Sequence, residues 1–130
     1  MVKGNPLRGA RVLVAEDEPI LAFDITRTLM NAGATVIGPA LSVERALELA
    51  LAARLTCGVL DVRLRDGLVF PAAKVLIQKG TGIVFYTGQI HQEALKREWP
   101  DAEVLLKPAP LGSLIPAINA ACCGRALRLT

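Results

Sequence analysis

The chain has 130 residues, 52% of them apolar and 21% charged, with a formal net charge of +3. That length suits one domain with a real hydrophobic core, and the apolar content excludes a disordered chain. Charged residues interrupt the apolar stretches well short of the roughly 20 residues needed to span a bilayer, and Lys and Arg form no concentrated patch of the kind a nucleic-acid face requires.

Met1 to Gly9 is short and polar, with no apolar signal core, so residues 1–8 are expected to be a flexible leader on a cytoplasmic protein. Arg11 to Ala15 is a short apolar run that ends on Glu16 and Asp17. Pro19 is well placed to open a helix over 19–31, since a first-turn residue needs no donor, and Gly33 stops it. Ala22, Ile25, Leu29 and Ala32 recur at helical spacing and form the buried stripe. A strand over 34–37 follows, then a helix over 42–54 capped by Ser42, with Ala46, Leu47 and Ala50 turned inward. The run 57–60 ends on Asp61, and a helix is expected over 68–79. Gly80-Thr81-Gly82 reads as a turn, because it lacks the lysine of a phosphate-binding loop.

The run 82–86 ends on Thr87. A helix over 90–98 places His91 at the surface and lets Trp99 pack that helix end on the sheet. The run 103–106 ends on Lys107, and a last helix over 113–123, capped by Ser113, keeps Pro116 in its first turn. Residues 125–130 are expected to be a tail. Cys57, Cys122 and Cys123 are odd in number, match no metal spacing and are expected to be reduced structural thiols.

The strand-like runs lack polar alternation, as strands covered on both faces do. Five alternating strand and helix signals therefore predict an α/β domain over 9–124. It is a (βα)5, doubly wound, five-stranded parallel sheet with right-handed crossovers. The chain is about half the length an eight-fold barrel needs, and no attached output module is expected.

In such a fold, ligands bind outside the carboxyl ends of the strands. Glu16, Asp17, Asp61, Thr87 and Lys107 all stand at such ends. Three carboxylates brought together repel unless a cation joins them, and a hard ion such as Mg²⁺ suits oxygen donors. Lys107 offers compact positive charge to a phosphoryl group and Thr87 a hydroxyl. Backbone amides near Val62, Arg63 and Gly88 are candidates for the remaining phosphoryl oxygens. Asp61, on the central strand, is the natural nucleophile.

These pieces resemble the receiver domain of two-component response regulators over about residues 9 to 123. The matching stretches are Val12-Leu13-Val14-Ala15-Glu16-Asp17-Glu18-Pro19, Leu60-Asp61-Val62-Arg63-Leu64 with Asp66-Gly67, Phe85-Tyr86-Thr87-Gly88, and Lys107-Pro108. The Phe-X-Thr-Gly stretch and Gly38-Pro39 further resemble stand-alone single-domain receivers of alphaproteobacteria.

The resemblance implies flavodoxin-like strand order 2-1-3-4-5, with Asp61 accepting a phosphoryl group from a sensor histidine kinase or histidine phosphotransferase. It implies Mg²⁺, or Mn²⁺ as a substitute, on Glu16, Asp17, Asp61 and the Arg63 carbonyl. Lys107 would pair with the phosphoryl group, Thr87 would move to it, and Lys107-Pro108 would be cis. Arg63 and Gln89 occupy positions that tune hydrolysis in that family. The domain would catalyse its own phosphorylation and dephosphorylation, and would signal through protein contacts with a downstream partner.

This chain departs from the pattern in places. Glu16 replaces an aspartate. Val104 stands where many receivers carry an aromatic switch residue, with Tyr86 as a local substitute. Ala109-Pro110 replaces a bulky aromatic. An output surface is expected at Val104, Ala109, Pro110, Leu111 and Ile115, and a homodimer would use the fourth helix, fifth strand and fifth helix. The alternatives are a diverged receiver that binds protein without phosphorylation, and a small Mg²⁺-dependent phosphohydrolase or flavin-binding relative.

Overall fold

The structure, a computed structural model, describes residues 5–88 and 92–129, with side chains as far as Cys122. Gln89, His91 and the Cys123 side chain lie outside the described residues. Along the chain run β1 (Arg11–Ala15), α1 (Pro19–Asn31), β2 (Thr35–Ala40), α2 (Val43–Ala52) and β3 (Cys57–Leu60). A small antiparallel hairpin follows, β4 (Arg63–Leu64) and β5 (Gly67–Leu68). Then come α3 (Phe70–Gln78), β6 (Gly82–Thr87), α4 (Gln92–Glu98), β7 (Glu103–Leu106), a 3₁₀ turn (Leu111–Ser113) and α5 (Leu114–Leu129). The main sheet has the order β2-β1-β3-β6-β7, with every neighbouring pair parallel. Counted along the chain, its strands stand second, first, third, fourth and fifth, as expected.

Unbroken apolar runs conceal a two-residue period, because both faces of the sheet are covered. Val12 and Val14 of β1, Cys57 and Val59 of β3, and Val84 and Tyr86 of β6 point into a core closed by α1 and α5. Their neighbours Leu13, Ala15, Leu60, Ile83 and Phe85 point into a second core under α2, α3 and Leu95 of α4. Ile25 and Leu29, fully buried on α1, contribute about 1.5–3 kcal/mol each by leaving water. Trp99 stacks on Phe70 at 5.6 Å and meets Phe85 edge-on at 5.8 Å, which fastens the end of α4 to α3 and the sheet as expected.

The ends of the chain depart from expectation. Leu7, in the expected leader, is 2% exposed and joins the first core, with its amide donating to the Ala32 carbonyl at 2.8 Å. The last helix runs to Leu129, through Gly124 and the expected tail. Ser113 closes a 3₁₀ turn at the entry to that helix, and Pro116 still falls in its first turn.

Helix α2 is anchored at both ends by distant residues. The Asp66 carboxylate accepts from the amides of Val43 at 2.6 Å and Glu44 at 3.2 Å, while Ser42 caps Arg45 at 3.1 Å. At the other end, Lys79 donates to the carbonyls of Ala50 at 2.7 Å and Ala53 at 3.1 Å. An anion at the N-terminus and a cation at the C-terminus match the helix dipole.

Candidate functional site

The parallel ladder sets Glu16, Asp61 and Lys107 one step past their strands, Asp17 two steps past β1, and Thr87 on the last residue of β6. The Asp61 amide donates to the Ala15 carbonyl at 2.9 Å, and the Lys107 amide donates to the Thr87 carbonyl at 2.9 Å. Glu16 depends on an irregularity in β2, where Leu13 pairs with Ile37 but Ala15 pairs with Ala40. The extra residue falls at Gly38-Pro39, a cis bond, with Gly38 at φ +108°. A Cβ at Gly38 would come within 2.9 Å of the Val14 carbonyl oxygen, so only glycine fits there. Pro39 lacks a donor, and an edge strand tolerates that. The result sets the Ala40 carbonyl 2.9 Å from the Glu16 amide.

These placements bring the carboxylates together. One oxygen each from Glu16, Asp17 and Asp61 lie within 4.8 Å of one another. Lys107 reaches across from β7, donating to Asp61 Oδ2 at 2.8 Å and Glu16 Oε1 at 2.9 Å. The Glu18 amide donates to Glu16 Oε2 at 3.2 Å. Glu16 is 2% exposed, and burial raises its carboxyl pKa above 4.5, although hydrogen bonds from Lys107 and Glu18 oppose the rise. Burial works against the Lys107 ammonium, yet its bonds to Asp61 and then Glu16 prevail, and its pKa stands above 10.5. Thr87 is buried at the end of β6. All five residues singled out at the strand ends therefore meet at one edge.

The donor set is three carboxylates with no sulfur or imidazole. Hard oxygen donors of this kind fit a divalent cation with places left for water and a phosphoryl oxygen. Around them, Val62 is buried and gives its carbonyl to the Val69 amide at 2.8 Å. Arg63 is exposed at the start of the β4–β5 hairpin, and open space surrounds Gly88. Lys107-Pro108 is cis, as expected.

The expected output surface is only half exposed. Ala109, Leu111 and Ile115 pack against the first core and Val104 against the second, while Pro110 is exposed. Among the described residues, the large apolar side chains most open to solvent stand elsewhere, Ile20 at 74% and Phe23 at 59% in the first two turns of α1 and Leu51 at 62% on α2. Sequence reasoning missed Tyr86's contact as well. Its hydroxyl donates to the Ala109 carbonyl at 2.9 Å, and the Lys107 ammonium lies 5.7 Å from its ring centre.

No protein-family model matches the chain. It is 30% identical over 115 residues to the transcriptional regulatory protein PdtaR of Mycobacterium tuberculosis, in both the CDC 1551 and H37Rv strains. That alignment covers 85% of this chain and 56% of the relative, so the chain spans about half the length of the curated relatives it matches. Among solved structures it is similar to a response regulator receiver protein from Sinorhizobium medicae. The TM-score is 0.80 and the identity 29%, covering 92% of this chain and 98% of that one. The response regulator PhyR from Brucella abortus shares the fold, with a TM-score of 0.78 at 24% identity, covering 92% of this chain and 50% of that one.

Proposed function

We propose, since this chain is a receiver domain of the response-regulator kind, that it takes a phosphoryl group onto Asp61 from the phosphohistidine of a sensor histidine kinase or a histidine phosphotransferase. The observation that carries this reading is the Lys107 ammonium bridging Asp61 and Glu16 inside an acid cluster fit for a cation. Glu16, Asp17 and Asp61, with the Arg63 carbonyl, would hold Mg²⁺. The bound ion would neutralise charge on the phosphoryl oxygens as it approaches. Asp61 supplies the attacking oxygen while Lys107 steadies the other, Oδ2. As the phosphorus–nitrogen bond breaks and the phosphorus–oxygen bond forms, Lys107 shifts toward the new dianion and the Thr87 hydroxyl donates to it. Water then cleaves the acyl phosphate, at a rate tuned by Arg63 and Gln89.

The phosphoryl donor docks over α1, where Ile20 and Phe23 offer exposed apolar area directly after the acid pair. The output leaves through α4, β7 and α5. No helix among the described residues is long and apolar enough to cross a membrane.

Incubation with Mg²⁺ and acetyl or amido phosphate tests the reading by intact mass. One phosphoryl adduct is expected, absent in Asp61→Asn and absent with chelator. If neither the small donors nor a panel of phosphorylated histidine kinases gives an adduct, the phosphorylation-independent binding module is the better reading.

A further inference from the structure

At the other end of β3 from Asp61, two thiols meet. Cys57 opens β3 and is fully buried in the core shared with Ile118 and Ala121 of α5, and Cys122 packs at the edge of that core, partly exposed. Cys122 Sγ donates to the carbonyl of Thr56, the residue next to Cys57, at 3.5 Å, and Cys57 Sγ donates to the Gly58 carbonyl at 3.7 Å. The approach depends on Gly82, which pairs with Cys57 across the parallel register. A Cβ on Gly82 would lie 3.1 Å from the carbonyl carbon, the oxygen and the Cβ of Ala121. The bare glycine lets the backbone of α5 sit directly on the sheet and brings Cys122 to Cys57.

We propose that Cys57 and Cys122 form a peroxide-sensitive dithiol that closes into an intrachain disulfide tying α5 to the central strand. The two thiols are chemically unequal. The neighbouring Cys122 and burial hold the Cys57 thiol well above 9.0, and the neighbouring Cys57 brings Cys122 down to about 7. Cys122 is thus the partly exposed thiol that ionises more readily, and Cys57 the buried one that keeps its proton.

The Cys122 sulfur attacks a peroxide oxygen; the sulfur–oxygen bond forms, the oxygen–oxygen bond breaks, and the departing oxygen leaves as water after taking up a proton. The Cys57 sulfur then attacks the Cys122 sulfenic acid, forming the sulfur–sulfur bond. Hydroxide leaves with the Cys57 proton as a second water. With hydrogen peroxide, two thiols and one oxidant give one disulfide and two waters. The acid cluster is separated from Cys57 by the length of β3, so the reaction leaves Asp61 unmodified.

The test treats the chain carrying Cys123→Ser, which removes the competing neighbour, with hydrogen peroxide. Peptide mapping should find one intrachain Cys57–Cys122 disulfide, matched by an intact-mass loss of two hydrogens. Adding Gly82→Ala should slow closure at least about tenfold, because displaced reacting atoms lose their near-attack placement. Cys57→Ala should stop at a dimedone-trappable sulfenic acid on Cys122. The proposal is overturned if Cys122 in the Cys123→Ser protein accumulates as sulfenic or sulfinic acid without the internal bond. It is equally overturned if only intermolecular disulfides form. Neither outcome depends on the Cys57→Ala protein folding.

Discussion

Replacing Lys107 with methionine removes the ammonium that bridges Glu16 and Asp61. At 2.8 and 2.9 Å, with an effective dielectric constant of about 20, each ion pair carries about 6 kcal/mol of bare Coulomb energy. Carboxylate oxygens within 4.8 Å repel by about 3.5 kcal/mol or more for each pair. The two attractions, about 12 kcal/mol together, thus stand against three repulsions of about 10 kcal/mol or more together. Without the ammonium only the repulsions remain, and the protein relieves them by protonating Glu16, the most buried acid. Breaking a fully buried pair costs about 3–5 kcal/mol, and because the Lys107 side chain is 23% exposed the expected loss here is about 2–3 kcal/mol. In chelator-treated buffer the urea midpoint should fall by about 1–2 M, given a denaturant slope of about 1–3 kcal/mol/M. Mg²⁺ should then stabilise Lys107→Met more than it stabilises the native chain. For the native chain the gain is about 2.7 kcal/mol at a hundred times Kd. A variant that unfolds with the native chain in chelator, or gains less from Mg²⁺ than the native chain does, would refute this account of the cluster.

Burial raises the Glu16 carboxyl above 4.5, so the folded chain binds that proton more tightly than the unfolded chain. The associated stability is complete below 4.5 and lost as pH rises through the folded value. Metal-free native protein should thus lose stability with rising pH more steeply than Glu16→Gln, and parallel urea-midpoint profiles would contradict it. Asp66 behaves oppositely, because the Val43 amide, joined by that of Glu44, holds its carboxyl below 3.8. Its contribution is present above 3.8 and lost as pH falls through the folded value. Asp66→Ala should therefore lower the thermal midpoint at neutral pH, with the gap closing in strong acid, and an equal gap at both would show that the carboxylate charge is not what caps α2. Tyr86→Phe keeps the ring but leaves the Ala109 carbonyl without its donor, at a net cost of about 0.5–1.5 kcal/mol. Faster amide hydrogen exchange over residues 111–114 is expected, and unchanged exchange there would mean the hydroxyl does not restrain that turn.

The sheet was legible because strands covered on both faces leave continuous apolar runs, and four of the five runs here end on a residue that carries chemistry. Burial of Val12 and Leu13 on opposite faces is the physical content of that signal. What escaped the sequence was either too short or too distant. The β4–β5 hairpin has two residues in each strand, fewer than any period needs. Strand β2 was expected over 34–37, yet an edge strand absorbs Gly38-Pro39 as a bulge and carries on to Ala40. Gly124 likewise reads as a helix end, but α5 continues through it. Asp66 reaches α2 across more than twenty residues of sequence, and Cys122 reaches the Thr56 carbonyl beside Cys57 across more than sixty. Nothing local encodes such meetings; the fold creates them.

The departures at Val104 and Ala109 become intelligible when the charges at the site are followed outward. Three carboxylates and one ammonium leave the cluster at −2, which a divalent cation brings to zero. A phosphoryl dianion on Asp61 adds one further negative charge, and Lys107 cannot keep both of its present partners while meeting it. Any shift of Lys107 acts on Tyr86, whose ring faces the ammonium at 5.7 Å and whose hydroxyl holds the Ala109 carbonyl at 2.9 Å. Val104 has no part in that path. It points into the core under α2 and α3, whereas Tyr86 points into the core under α1 and α5. An aromatic side chain at position 104 would act on the opposite face of the sheet from the loop that leads into α5. In this chain the contacts that join Lys107 to that loop lie on the Tyr86 face and end on the backbone carbonyl of a small residue, Ala109, rather than on a ring.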